Sequence, residues 1–213
     1  MILSVQHVKK AFGGDVIFSD ASFQIDTKEK IAIVGKNGTG KSTLLKMIVG
    51  QETRDDGDII FGKDISFGYL AQYQDFDENG TIYDIVLSSR EDLLEKEREL
   101  RAMEGNMKDL SNSDLQAFLN TYEKKTKEFT DAGGETYRSE AAGILKGLGF
   151  SDDELSKEFS MLSGGQKTRV SLGRLLMRKP DILILDEPIN HLDLSSIEWL
   201  EGYLKKLDST LIL

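Results

Sequence analysis

The feature that most constrains this chain of 213 residues is a glycine-rich segment between two apolar ones. Ile31–Val34 is a continuous apolar run rich in β-branched residues, which predicts a strand covered on both faces. Gly35–Ser42 follows with the sequence GKNGTGKS and fits the pattern G-x-x-x-x-G-K-[ST]. The next segment, Lys41–Val49, is predicted to form a helix. This order of strand, glycine loop and helix predicts an α/β fold with a phosphate-binding loop at the start of the helix.

The residue types in this loop suit a polyphosphate. Glycine lets the backbone curl so that successive N–H groups point inward, and the helix N-terminus adds a partial positive charge. Lys41 is the candidate cation for the β- and γ-phosphates, and the Ser42 hydroxyl is a candidate ligand for Mg²⁺. The candidate phosphate-binding residues are those of the loop and the first helical turn: Gly35, Lys36, Asn37, Gly38, Thr39, Gly40, Lys41, Ser42 and Thr43.

A second motif consists of four apolar residues, Ile182–Leu185, followed by Asp186 and Glu187. The apolar run predicts a buried parallel strand, and ligands collect at the carboxyl ends of such strands. Asp186 is therefore a candidate ligand for Mg²⁺, and Glu187 is a candidate for polarising the water that attacks the γ-phosphate. Taken alone, the same residues also fit a strand that ends in a solvated acidic turn.

A third motif, LSGGQ at Leu162–Gln166, comes directly before a helix predicted over 163–178. Ser163 is a good N-cap, and Gly164 and Gly165 expose backbone N–H groups at the positive end of that helix. Together with Gln166 they form a second candidate anion site. An ordinary capped helix is the alternative interpretation.

Residues 81–132 differ from both flanking regions in that they are densely charged and carry Leu at helical spacing. An interruption between 103 and 113 predicts two surface helices joined by a turn. The segment 90–128 has 8 basic and 10 acidic residues, a net charge of −2. This balance does not suggest a surface built for RNA.

Composition excludes several classes of protein. The net charge is −10, which argues against a general nucleic-acid binder. Cysteine is absent from the sequence, so disulfides, thiolate metal sites and a cysteine nucleophile are excluded. No apolar run approaches the about 18 residues that suggest a membrane span, and the N-terminus shows no secretory signal. We expect a cytoplasmic protein with no membrane insertion of its own.

The three motifs, in this order, resemble those of an ABC-type ATPase domain, most closely the N-terminal ATPase domain of an ABC-F protein, a soluble tandem ATPase. The resemblance implies a P-loop NTPase of the α/β class with a RecA-like parallel-sheet core. It also implies an N-terminal antiparallel β-subdomain and an α-helical subdomain that carries an inserted helical hairpin. The implied division is a β-subdomain with the loop core at 1–80, helices at 81–160, and the signature helix with the second acidic strand at 161–213.

The resemblance also implies further site residues, with ATP and Mg²⁺ as cofactors. Phe12 matches an aromatic residue that stacks on adenine, and Gln72 matches a glutamine that joins Mg²⁺ and the attacking water to the helices. Asp193 matches an aspartate at the seam between two ATPase domains. In that family, the segment corresponding to Ser163–Gln166 closes over the γ-phosphate held by a second domain.

The string EPINHLD at Glu187–Asp193 resembles the EPTNHLD string common in ABC-F proteins, with Ile189 in place of threonine. The charged helices resemble the arm of that branch. The resemblance implies a second ABC ATPase domain as partner, within the same full-length chain, and contact with the ribosome, rRNA or tRNA. It implies a first half that is truncated before the switch histidine of the family. An ATPase subunit of an ABC transporter and a nucleotide-regulated scaffold remain alternatives.

Overall fold

The computed structural model describes residues 1–70, 79–107 and 112–213, which form two compact units. The first unit contains Met1–Gln74 and Lys179–Leu213, and the second contains Asp75–Arg178. The helices and strands, in chain order, are β1 (Leu3–Phe12), β2 (Asp15–Ile25), β3 (Lys30–Ile31), α1 (Lys41–Ile48), β4 (Asp56–Phe61), β5 (Phe67–Leu70), α2 (Ile82–Leu87), α3 (Glu91–Asn106), α4 (Asn112–Asp131), α5 (Tyr137–Gly147), α6 (Gly164–Arg178), β6 (Ile182–Leu185), α7 (Leu194–Lys206) and β7 (Thr210–Ile212).

The first unit contains two sheets. One is antiparallel with the strand order β2-β1-β4, and the other is parallel with the order β3-β7-β6-β5. This arrangement confirms the predicted combination of an antiparallel sheet and a parallel-sheet core. Because β3 and β6 both pair with β7 in the parallel sense, their carboxyl ends lie at the same edge of the sheet. The two motifs that follow these strands are thereby placed at one edge.

Strand β6 confirms the predicted buried strand, since all four of its residues have 0% exposed surface. The prediction for Ile31–Val34 is wrong in its extent and burial. Strand β3 ends at Ile31, although the Ile33 N–H still donates to the Leu213 carbonyl at 2.7 Å, and Val34 is 88% exposed. Burial alternates along this run, with Ile31 and Ile33 partly covered and Ala32 and Val34 exposed, so only one of its faces is packed against other residues.

Helix α1 packs into the apolar core of the first unit. Its buried face consists of Leu44, Leu45, Met47 and Ile48, which cluster with apolar residues of both sheets. The spacing of these residues is that of an amphipathic helix. Burial of this face fixes the direction of α1. It therefore also fixes the position of the glycine loop that precedes the helix.

The core of the second unit lies where α2, α5 and α6 meet. A Cβ atom at Gly173 of α6 would lie 3.2 Å from Leu148, 3.4 Å from Ile144 and 3.5 Å from Val86. The absence of a side chain at Gly173 therefore permits a close approach of these helices. The predicted division grouped residues 161–178 with the last strands, whereas α6 packs on α2 and α5 and belongs to the second unit.

Helices α3 and α4 form an antiparallel hairpin, as predicted for the charged segment. Near its outer end the Tyr122 hydroxyl donates to Glu104 at 2.6 Å, and further in Lys125 pairs with Glu99. At the base, Glu97 of α3 accepts from the Tyr137 hydroxyl and, at 2.7 Å, from the Arg138 guanidinium of α5. In the parts of the chain that the structure describes, no helix is both long enough and apolar enough to span a membrane.

Candidate functional site

The loop before α1 requires glycine at two positions. Gly38 and Gly40 have φ angles of 83° and 92°, in the left-handed region that disfavours other residues. A Cβ atom at Gly40 would also lie 2.3 Å from Ile17 and 2.8 Å from Phe18, both in β2. The backbone therefore enters α1 pressed against the antiparallel sheet, in a conformation that only glycine provides without strain.

Lys41 and Thr39 close this loop onto itself. The Lys41 ammonium donates to the carbonyl oxygens of Gly35 at 2.9 Å and Lys36 at 3.1 Å. The Thr39 hydroxyl and backbone N–H also donate to the Lys36 carbonyl, at 2.8 Å and 3.3 Å. The ammonium is thereby held against the loop, next to the N-terminus of α1.

The start of α1 leaves its backbone donors without a side-chain acceptor. Gly40, the N-cap, makes no side-chain capping bond, and the first turn contains no acidic residue. The first N–H groups of a helix have no intrahelical partner, and the helix dipole makes that end attractive to anions. With the Lys41 ammonium and the exposed Ser42 hydroxyl beside them, these donors fit a polyphosphate with a bound divalent cation.

The carboxyl end of β6 carries the two predicted carboxylates. Glu187 is exposed and has a φ angle of 50°, which is unusual for a residue other than glycine. Its Oε2 accepts a hydrogen bond from the Asn190 side-chain amide at 2.8 Å. Asn190 belongs to the Glu187–Asp193 string but had no predicted role of its own, although its position three residues after Glu187 was a signal for such a turn contact. The contact fixes the direction of the Glu187 carboxylate.

Asp186, the candidate ligand for Mg²⁺, is half-buried and follows directly after β6. On the neighbouring strand β5, burial and then the Asp186 charge raise the pKa of the Tyr69 hydroxyl, so that group stays neutral. In residues 1–70, 79–107 and 112–213, no three His, Asp or Glu side chains gather as a metal site. Ser42 and Asp186 would supply two protein oxygens, and Mg²⁺ commonly completes its shell with phosphate oxygens and water.

The candidate base-stacking residue, Phe12, is the last residue of β1, and its side chain is 46% exposed. The Lys10 ammonium lies over the ring, 4.6 Å from its centroid. An exposed aromatic ring in the same unit as the glycine loop fits a purine base, since aromatic faces stack on bases.

Ser163 and Gln166 form a reciprocal capping box at the start of α6. The Gln166 N–H donates to the Ser163 hydroxyl at 3.4 Å, and the Ser163 N–H donates to Gln166 Oε1 at 3.0 Å. The predicted N-cap role of Ser163 is present in this geometry. The backbone N–H groups of Ser163 and Gln166 thus have acceptors within the same turn, whereas the anion donors predicted from the sequence were the N–H groups of Gly164 and Gly165.

Asp193 caps α7. Its Oδ1 accepts from the Ser196 N–H at 2.8 Å and from the Ser195 hydroxyl at 2.9 Å. These bonds give Asp193 a local structural role in addition to the one implied by its resemblance to a seam residue.

The structure places Phe12, the glycine loop, Asp186, Glu187 and Asp193 in the first unit. It brings the loop and Asp186 to the same edge of the parallel sheet, as the sequence predicted. Ser163–Gln166 belong to the second unit. Gln72 lies outside the described residues, so its predicted contact with Mg²⁺ and water stays a prediction.

Comparison with known proteins agrees with this site. The family model described as ABC transporter matches residues 18–190. The ATP-binding protein YdiF of Bacillus subtilis is 44% identical over all of this chain and 33% of its own length. ABC transporter F family member 5 of Arabidopsis thaliana is 31% identical over 99% of this chain and 31% of its own length.

The likeness extends to solved structures. The ATP-binding subunit of an ABC transporter has a TM-score of 0.65 and 20% identity, covering 100% of this chain and 78% of its own, which shows the shared fold. The chain spans about a third of the length of the two curated relatives. With three motifs in order, a matching fold and a family match over most of its length, this chain belongs to the ABC transporter family, as an ABC-F-like ATPase domain.

Proposed function

We propose that this chain binds Mg·ATP and contributes to hydrolysis of its γ-phosphate. The observation that carries the proposal is the uncapped start of α1 at Gly40, with the Lys41 ammonium held beside it. The same sheet edge carries Asp186 and Glu187 at the end of a buried strand. Such an arrangement of donors, a cation and carboxylates has the parts needed for phosphoryl transfer.

Each side chain has a distinct part in the proposed chemistry. The loop N–H groups and Lys41 bind the β- and γ-phosphates and offset the charge that develops there. Ser42 and Asp186 hold Mg²⁺, which neutralises phosphate charge when it is bound. Glu187 orients a water in line with the γ-phosphate and accepts its proton. Asn190 holds one oxygen of Glu187 and so leaves the other free for that water.

The reacting site is composite in this proposal. Ser163–Gln166 of a second ABC ATPase domain close over the γ-phosphate, Asp193 lies at the seam, and Gln72 joins Mg²⁺ and water to the helices. Family resemblance supports these roles. The capping box at Ser163 supports them only indirectly, since it keeps the turn preformed.

The composite site predicts how hydrolysis depends on concentration. In steady-state assays, the specific ATPase rate of the isolated chain should rise with protein concentration, because each site borrows its signature turn from another copy. Calorimetry should meanwhile detect ATP binding at low concentration. Brisk turnover that is independent of concentration would contradict the shared site, and absence of ATP binding would contradict the whole proposal.

We further propose that the protein is a cytoplasmic ABC-F type factor that acts on ribosomes through ATP-driven closure of two ATPase domains. The F-family relative, the EPINHLD string and the α3–α4 hairpin support this assignment. The net charge of −2 over residues 90–128 favours the alternative, an ATPase subunit that contacts protein partners in a transporter complex.

Sedimentation with ribosomes separates these two roles. The Glu187→Gln variant, which should hold ATP without hydrolysing it, is mixed with ribosomes and spun through a sucrose cushion with and without Mg·ATP. An ATP-dependent increase in the pelleted fraction supports the ribosomal role. Equal pelleting with and without ATP excludes a ribosomal role that depends on closure.

A further inference from the structure

Lys10 is a buried charge on β1, whose other lysine, Lys9, lies in solvent. Its residue surface is 5% exposed, whereas the side chain of the preceding Lys9 is 52% exposed and pairs with Asp56. A buried ammonium requires compensating partners, because removing a charge from water is costly. Lys10 lies two residues before Phe12, so the contacts that hold its ammonium also bear on the position of the Phe12 ring.

The partners of Lys10 come from the segment that follows α1. Its ammonium donates to Glu52 Oε1 and to the Thr53 carbonyl, each at 2.7 Å, and lies 4.0 Å from Asp55 Oδ1. The Lys10 bond and charge hold the pKa of the Glu52 carboxyl below its usual range, which favours the carboxylate form of Glu52. The Lys10 ammonium is therefore held by the segment that follows the C-terminus of α1. The glycine loop lies at the N-terminus of the same helix.

The same ammonium lies 4.6 Å from the centroid of the Phe12 ring. This distance is within the range of a cation–π interaction. One face of the ring is thereby occupied by a cation that is itself held by two oxygens. The residue nevertheless remains 46% exposed, which leaves ring surface for a planar ligand.

We propose that Lys10 is a positioning residue for the nucleobase, resting on the proposed binding of ATP to this site. It fixes the Phe12 ring from one side and draws π density toward itself, which favours stacking of an electron-rich purine on the other side. Because Glu52 holds Lys10 and follows α1, the base platform and the phosphate loop are connected through one helix. Lys10 does not touch the reacting phosphates.

The test separates base binding from phosphate binding. Calorimetry measures Kd for Mg·ATP and for Mg·tripolyphosphate, which lacks base and sugar, with the Lys10→Met variant. We expect ATP binding to weaken by about 3- to 10-fold, the range of a partly desolvated cation–π contact, while tripolyphosphate binding changes by less than about 2-fold. Lys10→Arg keeps a cation over the ring and should restore most of the ATP affinity.

Two further variants complete the experiment. Phe12→Ala should remove the effect of Lys10, so that Lys10→Met in the Phe12→Ala background causes no additional loss of ATP affinity. Lys9→Met is the matched control and should leave both affinities unchanged. Equal weakening of ATP and tripolyphosphate by Lys10→Met, or no weakening of either, overturns the positioning role. Failure of the unmodified chain to bind either ligand instead overturns the proposed function.

Discussion

Helices α1 and α6 both begin at glycine-rich turns, yet their N-termini are built differently. The start of α1 has no side-chain cap and no acid in its first turn, whereas α6 is closed by the Ser163–Gln166 capping box. Among the α-helices whose first turns the structure describes, α1 is the only one with neither a side-chain cap nor an acidic residue in its first turn. The difference means that the start of α1 is open to an anion in the isolated chain, whereas the start of α6 is already capped and, in the proposed function, meets a phosphate only when a second domain is bound.

The two units of the chain also differ in where their polar groups lie and what they contact. In the first unit, the groups that fit a ligand lie at one edge of the parallel sheet: Lys41, which bonds to carbonyls of its own loop, and Glu187, which bonds to Asn190. The second unit holds several of its polar groups in internal contacts, through capping boxes at Thr81 and Ser163 and the Glu97 network at the base of the hairpin, although Thr126 Oγ1 and Arg169 Nε are buried without a hydrogen-bond partner. Variants of the first unit should therefore change ligand chemistry, and variants of the second should change stability.

The largest effect is expected for Glu187→Gln. Loss of the carboxylate removes the acceptor for the water proton, so single-turnover hydrolysis of ATP should slow by about 10²- to 10⁴-fold. ATP affinity should change little, since Gln keeps the shape and the contact with Asn190. Glu198→Gln, on the exposed surface of α7, is the control and should hydrolyse normally. Unchanged hydrolysis in Glu187→Gln would remove Glu187 from the mechanism.

A smaller effect is expected for Lys41→Ala. The variant loses a charged donor at the loop, so Kd for Mg·ATP should rise by about 10- to 100-fold, corresponding to about 1.5–3 kcal/mol. Titration calorimetry measures this change. Lys46→Ala removes an exposed charge from the last turn of the same helix and should leave Kd within about 2-fold. Similar losses in both variants would mean that general charge, rather than the loop, governs binding.

In the second unit, Glu97→Gln should lower the free energy of unfolding by about 1–2 kcal/mol at pH 7, with ATP affinity unchanged. Contacts with Arg138, Tyr137 and Arg101 lower the pKa of Glu97 to about 2 from 4.5. The stabilisation is present above pH 4.5 and is lost as pH falls toward 2. Urea unfolding at pH 7 and pH 3 should show a smaller difference between the chains at pH 3. A difference that grows on acidification would contradict the assignment.

The smallest effect is expected for Ser163→Ala. Loss of the N-cap should destabilise the start of α6 by about 1 kcal/mol and speed amide hydrogen exchange in its first turn. ATP binding by the isolated chain at low concentration should not change. Ser160→Ala, an exposed serine just outside the helix, serves as the control. A large loss of ATP affinity in Ser163→Ala would show that α6 of the same chain contributes to the site, against the comparison.

The sequence predicted those helices, strands and loops whose residue patterns lie within a short stretch of the chain. The glycine loop before α1, the buried run of β6 and the charged hairpin each depend on spacing within about ten residues. The bounds of α1 and β6 agree with the structure to within a residue, and the interruption predicted between 103 and 113 is shorter in the structure, where α3 ends at Asn106 and α4 begins at Asn112. The shared sheet edge of the loop and Asp186 also followed, since parallel strands present their carboxyl ends together.

Features that depend on distant partners were not predictable in this way. Ile31–Val34 reads as a fully buried strand, but burial depends on which strands lie beside it. Lys10 reads as an ordinary surface lysine, and its partners Glu52 and Thr53 are more than forty residues away in sequence. The membership of α6 in the helical unit likewise depends on close packing at Gly173, which no local pattern reveals.

The most direct test of the comparison is a titration of the isotope-labelled chain with Mg·ATP, followed by backbone amide NMR at protein concentrations too low for pairing. The account predicts saturable shifts at the amides of Gly38, Gly40, Lys41 and Ser42, with little change at Ser163–Gln166. Saturating Mg·ATP that leaves the loop amides unmoved, or that moves the start of α6 instead, would contradict the claim that α1 is the open, phosphate-binding helix of this chain.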